Sequence, residues 1–431
     1  MKLKEKLIVK NFGPIVEAEI DIKPFMVFIG ESGSGKSVIL KLLSLFRWTF
    51  KKTMINYLYR YIGAKVSYKF FIEDMLKSSG LEDFCIKGSE AIYYVGESYI
   101  SISFNKSKPI LNIKFKAPKN NIVLEKVSFI TDDRLTIPML LNNYNMEITD
   151  KIPYHLKKTY DDFTEAFSFL ESRNRKVNVK TMNIELSKEK NGIYNRFFIN
   201  VKDSKTQFQN SSSGFKSVSI IEVITSYLVL SYRYIEKNIR NLRMYSYKIL
   251  KSDTFDDFLN KLDKINISSN RLSLFIEEPE LSLFPNAQKR LVEHFVDLCF
   301  SKHKLHNEFR NKKYLFLNFQ YLSHIFENAF NNQNVYIAFS THSPYMLSSL
   351  NCLLLAHQVA NEKPELKDKV EKIVPSQYWL DIKDFSALKV ENGNVKSIIN
   401  KKTKLIFANK IDEVSEEIGD TFDKLLELQY K

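Results

Sequence analysis

The 431-residue chain has only three cysteines, Cys85, Cys299 and Cys352, widely spaced and odd in number. That set excludes a disulfide scaffold and a cysteine zinc site, and it fits a reducing cytoplasm. Glycine and proline are scarce, at 12 and 11 residues, so no flexible linker or clear domain boundary stands out and the chain reads as one domain. The opening MKLKEKLIVKNFG lacks the long apolar run of a secretory leader, and no signal peptide is expected. The longest apolar stretch, near Val218–Leu230, carries Glu222, Thr225 and Ser226, which reads as a buried helix rather than a membrane span. Sustained heptads are missing, which excludes a long coiled-coil arm.

What is present is globular: 44% hydrophobic and 26% charged residues. Lysine and arginine number 64 against 50 aspartates and glutamates, a formal net charge of +14. A basic surface of this kind fits nucleic acid or another polyanion as partner. A solvated, lysine-rich surface is the alternative, because the lysines are scattered.

The apolar run Met26–Ile29 is followed by GESGSGKS and then by the helix-periodic VILKLLSLF. Strand, glycine-rich turn and helix in that order form a nest of inward-facing N–H groups for phosphate oxygens, backed by a helix N-terminus. The nucleotide-binding candidates are Gly30, Glu31, Ser32, Gly33, Ser34, Gly35, Lys36, Ser37 and Val38. In this reading Lys36 reaches the β and γ phosphates of ATP and the Ser37 hydroxyl takes one position on Mg2+.

A second apolar run, Leu272–Ile276, ends in Glu277-Glu278-Pro279-Glu280. A buried strand that delivers carboxylates from its C-terminal end suits a magnesium–nucleotide site. Glu277 is assigned to the metal and Glu278 to the attacking water, as general base or orienter. An exposed acidic turn is the alternative. A third run, Val335–Phe339, ends in Ser340-Thr341-His342-Ser343-Pro344. His342 is placed as a sensor of the γ phosphate; a structural histidine is the alternative. His303 and His306 lie near each other without other metal-like residues. Between the acidic run and the phosphate loop lies Ser211–Ser217 (SSSGFKS), followed by Ile220, Ile221, Ile224, Tyr227 and Leu228 at helical spacing. A Ser-Gly turn at a helix start binds anions; on spacing alone an ordinary serine N-cap is the better reading.

The order of these motifs resembles the ABC-type ATPase fold of transporter ATPases and SMC proteins. KNFGPI, FIGESGSGKS, SSGFKS, FIEEPELSLFP, FSTHSPYML and the C-terminal IDEVSEEIGDTFDKLLEL are more closely similar to the stand-alone AAA family (OLD-like) ATPases of bacteria. The resemblance implies an α/β ABC-type P-loop fold with a mixed sheet, an antiparallel β subdomain and helical insertions. It implies that Ser213 and Gly214 contact the γ phosphate of a partner subunit, so that ATP is sandwiched in a head-to-tail homodimer. Phe12 and its neighbours match the motif near the nucleotide base, and His342 the switch histidine. Relatives of this kind serve anti-phage defence as Septu-like or retron-associated ATPases, with a separately encoded nuclease or toxin. A DNA-binding repair or chromosome-maintenance ATPase of the SMC-like type is the alternative.

The chain departs from the pattern in places. Glu277 stands where many ABC ATPases have Asp, Phe215 replaces a glycine and Lys216 a Gln or Glu. No Q-loop glutamine is evident, which argues against a transporter subunit. Phe129–Pro138 (FITDDRLTIP) resembles the group's Asp-Arg element, and Arg134 is read as serving the nucleotide or as a surface ion pair. No cluster of catalytic carboxylates follows His342, so the C-terminal nuclease of true OLD proteins is expected to be missing. Asp381 and Asp384 are the nearest candidates, and a polar strand edge explains them more simply.

Three lobes are expected, at residues 1–135, 136–270 and 271–431. Residues 5–10 and 15–22 are predicted as antiparallel strands beside the phosphate-loop strand, and 90–117 as further strands. Helices are predicted over 136–180, 236–264 and 287–330, and a hairpin over 181–208 turning at Asn191-Gly192.

Overall fold

The computed structural model describes residues 4–61, 67–105, 107–116, 122–141, 152–174, 176–191, 194–230, 267–301, 333–407 and 421–423. Glu5–Phe12 (β1) and Ile15–Asp21 (β2) form an antiparallel hairpin, and Phe25–Ile29 (β3) runs through the glycine-rich loop into Lys36–Tyr61 (α1). After Ile72–Ser79 (α2) the chain makes the meander Glu90–Val95 (β4), Ser98–Asn105 (β5) and Lys108–Lys114 (β6), then Ile122–Ile130 (β7). A 3-10 turn at Asp132–Thr136 leads to Ile137–Leu140 (α3) and Tyr154–Asn174 (α4). Val177–Val179 (β8), Ile184–Asn191 (β9), Tyr194–Val201 (β10) and Ser204–Gln207 (β11) make a separate four-stranded antiparallel sheet, followed by Ser213–Leu230 (α5). Ile267–Ile276 (β12), Pro285–Phe300 (α6), Gln333–Thr341 (β13), Pro344–Glu362 (α7), Lys367–Ile373 (α8), Phe385–Glu391 (β14) and Asn394–Ser397 (β15) complete the described elements.

The large sheet has eleven strands in the order β6-β5-β4-β1-β2-β15-β14-β3-β13-β12-β7. Five neighbours, β14, β3, β13, β12 and β7, run parallel. The period-two alternation of a strand divides their side chains between two cores. Met26, Phe28, Phe275 and Ala338 face the core under α1, while Phe25, Val27, Leu272, Leu274, Ile337 and Phe339 face the core under α5, α6 and α7. The mixed α/β class read from the sequence, with a large mixed sheet, a separate antiparallel sheet and helices, is the one the chain adopts.

The β1–β2 hairpin does not lie beside β3, as predicted; β14 and β15 sit between them. The burial pattern gives the reason. Phe385 and Ala387 of β14 enter one core and Leu388 and Val390 the other, so this strand is apolar on both faces and belongs in the sheet centre. Its turn reaches β2, where the Gly393 carbonyl accepts from Val16 N at 2.8 Å and Glu17 N at 3.1 Å.

The helices predicted over 136–180 form as α3 and α4 and end at Asn174, and β8 follows from Val177. The predicted hairpin forms as β9–β10, with Asn191 paired to Tyr194, and Gly192 lies outside the described residues. So do the helix predicted over 236–264, the part of 287–330 beyond residue 301, His303 and His306, and all of the closing segment but 421–423. The apolar stretch at 218–230 is a buried helix, as read. Its buried Glu222 accepts from Lys180 N at 2.5 Å and Thr181 N at 3.0 Å. Among the described residues no helix is long and apolar enough to cross a membrane.

One feature had no sequence signal: a buried charge network that ties α1 to the sheet. Arg47 Nη2 donates to Glu5 at 2.8 Å and Nη1 to Ser273 at 2.7 Å, while Arg271 donates to Glu5 at 2.5 Å and to Glu125 at 2.7 Å. Burial pushes the Glu5 carboxyl up, but Arg271 and Arg47 beside it outweigh that and hold it below the usual range.

Candidate functional site

The parallel register explains why motifs hundreds of residues apart meet. Ile29 pairs with Thr341, Phe339 with Ile276 and Ile276 with Ile130, so β3, β13, β12 and β7 end on one edge. The residues that follow them, the glycine-rich loop, His342, Glu277–Glu280 and Thr131–Arg134, are thereby brought to a common crevice, where parallel α/β sheets place their sites.

The loop curls as its glycines require. A Cβ on Gly30 would lie 2.2 Å from the Val390 carbonyl oxygen, and Gly35 has φ +109° with Ile15 Cδ1 2.5 Å from the position of a Cβ. Ile39 N then donates to Gly35 O at 3.1 Å, the first bond of α1. Lys36 Nζ folds back over the loop and donates to the carbonyls of Gly30 and Glu31, both at 2.8 Å. Burial pushes its pKa down, against the pull of Glu278 and Glu280.

A cavity of about 480 Å³ opens in front of this loop, lined by Ser32, Gly33, Gly35, Lys36, Ser37, Val38, Glu278 and His342. Pro14, within KNFGPI, also lines it, as do two residues that sequence reasoning missed, Lys41 and Phe84. Lys41 could have been found, since it follows Ser37 at i+4 on the same helix face. Phe84 had no local signal; a bond from Gly13 N to Phe84 O at 3.0 Å brings it there.

Glu277 is buried, and its backbone N donates to Ile130 O at 2.9 Å. Burial pushes its carboxyl up, while the Lys41 charge and hydrogen bonds from Ser37 and Thr131 counter this and Asp132 adds to it. A serine hydroxyl and a carboxylate held together are a hard, all-oxygen donor pair of the kind Mg2+ uses. The two residues assigned to the metal thus fit it.

Glu278 has φ +41°, a backbone region that non-glycine residues occupy at a cost. This conformation directs its carboxylate across the crevice, where Oε1 lies 3.0 Å from His342 Nε2. That hydrogen bond holds the carboxyl below its usual range against burial, helped by the charges of His342, Lys36 and Arg134. Glu280, also missed by sequence reasoning, anchors the segment that carries His342: its Oε1 accepts from Thr341 Oγ1 and His342 N, both at 2.7 Å.

Ser213 and Gly214 do not line this cavity. Ser212, rather than Ser213, caps α5, its Oγ accepting from Phe215 N at 3.3 Å, and Ser213 is exposed. Gly214 is buried against the loop that follows Glu278, where a Cβ would meet Ser282 O at 2.7 Å.

Two readings need correcting. Phe12 is fully buried in the core beneath α1, so its ring presents no face to a nucleotide; Pro14 and Phe84 occupy that wall instead. Arg134 is neither a surface ion pair nor a wall of the cavity. It is fully buried and donates to the carbonyls of Glu277 at 2.7 Å and Glu278 at 2.6 Å and to Ser217 Oγ at 2.9 Å. Asp381 caps the short turn Ile382–Asp384 ahead of β14, accepting from Lys383 N at 2.9 Å.

No family model and no curated protein matches the chain. Among solved structures it is similar to the SMC head domain from Thermotoga maritima, at 11% identity over 92% of this chain and 98% of that one, with a TM-score of 0.34. It is similar to the Smc head domain with an extended coiled coil bound to the C-terminal domain of ScpA, derived from Pyrococcus furiosus, at 11% identity over 97% and 100%, with a TM-score of 0.38. A third is the recombination mediator protein RecF-ATPrS of the RecFOR pathway, at 10% identity over 92% and 98%, with a TM-score of 0.33.

Proposed function

We propose that this protein is an ATP-hydrolysing switch that closes as a head-to-tail homodimer on ATP and reopens on hydrolysis. The observation that carries the proposal is the convergence of Lys36, Ser37, Glu277, Glu278 and His342 on one crevice. Lys36 exchanges the loop carbonyls for the β and γ phosphates, and the loop N–H groups hold the phosphate oxygens. Ser37 and Glu277 hold Mg2+, which neutralises phosphate charge when bound. Glu278, ionised at neutral pH, orients the attacking water and takes its proton, while His342 fixes the carboxylate and faces the γ phosphate.

The second half of the site comes from another copy. Ser213 and Gly214 lie off their own cavity, and the exposed Phe284 and Tyr345 directly follow the Glu280 loop and the His342 segment. Apolar side chains next to catalytic loops fit a face that closes on a partner. In the cell, we infer from the family resemblance, the switch works in anti-phage defence with a separate nuclease or toxin. A DNA-binding repair or maintenance role is the second reading, favoured by the net charge of +14. Measuring ATPase rates with and without duplex DNA at two salt concentrations separates them. Strong, salt-sensitive stimulation by DNA alone favours the second reading, and stimulation only by a co-encoded protein the first.

A further inference from the structure

We infer that Arg134 couples the two composite sites of the dimer, linking the Ser213–Gly214 turn to the hydrolytic carboxylate of the same chain. The inference rests on the head-to-tail reading above. In that arrangement Ser213 of one chain serves the partner's nucleotide, while Glu278 serves the chain's own. A residue that touches both elements within one chain therefore joins one site to the other.

Arg134 is that residue. All three guanidinium nitrogens are engaged: Nη1 with Glu277 O and Thr131 O, Nη2 with Glu278 O, and Nε with Ser217 Oγ. Ser217 stands one helical turn beyond Ser213 on α5. The carbonyl gripped by Nη2 belongs to Glu278, whose φ of +41° is a conformation that surrounding contacts must maintain. A second contact runs in parallel, because Gly214 packs against Ser282 O in the same loop. A displacement of α5 by a γ phosphate in the partner's site thus pulls on the peptide that aims Glu278. Burial pushes the guanidinium down to about 10, with Glu280, Asp132, Glu277 and Glu278 opposing, so it stays charged at neutral pH. Arg134 is a positioning residue and touches no substrate.

The test uses the full chain carrying Ser217→Ala, which removes one acceptor from Arg134, and Arg134→Lys, which keeps the charge and loses the fork. Thermal unfolding and the ATP dependence of hydrolysis are measured for each variant with Glu278 intact, and ATP-driven dimerisation for each combined with Glu278→Gln. The expected result is unchanged ATP binding and dimer formation, kcat reduced about fivefold or more, and a Hill coefficient that falls from near two to one. A Hill coefficient of one in the unmodified protein, or the unmodified coefficient kept in both variants, overturns the coupling role while leaving the dimer intact. Loss of cooperativity only in proportion to lost thermal stability assigns Arg134 to folding and also overturns it. If Glu278→Gln forms no ATP-dependent dimer, the composite site itself fails.

Discussion

Glu278 and His342, on the ends of strands β12 and β13, meet with Oε1 3.0 Å from Nε2, and Glu280 fixes the His342 backbone from the same loop. The pair carries a pH consequence. The His342 bond favours the charged form of Glu278, so His342→Ala should let the carboxyl pKa rise. The acidic limb of the ATPase pH–rate profile is then expected to move to higher pH, with a lower plateau. A limb that stays in place separates His342 from Glu278 during turnover.

Lys36→Ala removes the ammonium that bridges the loop carbonyls. Binding of a fluorescent ATP analogue should be lost while thermal unfolding changes little. Tight binding by this variant would remove the phosphate-loop assignment.

Gly214 has no room for a side chain against Ser282 O. Gly214→Ala is therefore expected to displace the loop after Glu278 and lower turnover, with ATP affinity of the monomer within about twofold. Ser213→Arg, at an exposed position, should likewise leave monomer binding intact and block turnover. Turnover by Ser213→Arg at the unmodified rate excludes a role for the signature turn in trans.

Glu5 accepts from Arg47 and Arg271 in the core. Glu5→Ala leaves two buried guanidinium groups short of a partner and should cost about 3–5 kcal/mol in denaturant unfolding at pH 7. Because the folded-state pKa of Glu5 is lowered, its stabilisation is complete above the unfolded carboxylate value of about 4.3 and is lost as pH falls through the folded value. The gap between the unmodified protein and Glu5→Ala should accordingly narrow in acid. A constant gap from pH 7 to pH 3 contradicts the network's role.

The sequence made some of this legible and not the rest, for physical reasons. Gly30–Ser37, Glu277–Glu278 and His342 could be placed because each follows a short apolar strand, and parallel strands present their C-terminal ends together. The position of β14 and β15 was not legible. Which strands Phe385–Glu391 joins depends on which seat buries both of its faces, and that is a property of the whole sheet rather than of the local pattern. Neither a nucleotide contact nor a surface ion pair describes Arg134, because its acceptors include backbone carbonyls 143 and 144 residues away, which no local pattern reveals. A motif match places Phe12 by sequence order alone and does not show that its side chain, at the end of the β1–β2 hairpin, is buried in the core.

The central claim is that ATP closes two chains around the crevice of Lys36, Glu278 and His342. Light scattering coupled to size exclusion tests it on Glu278→Gln with magnesium, with and without ATP. The expected result is a monomer without nucleotide and a stable dimer with ATP, abolished by adding Ser213→Arg. A mass that does not change with ATP, or a dimer that survives Ser213→Arg, contradicts it.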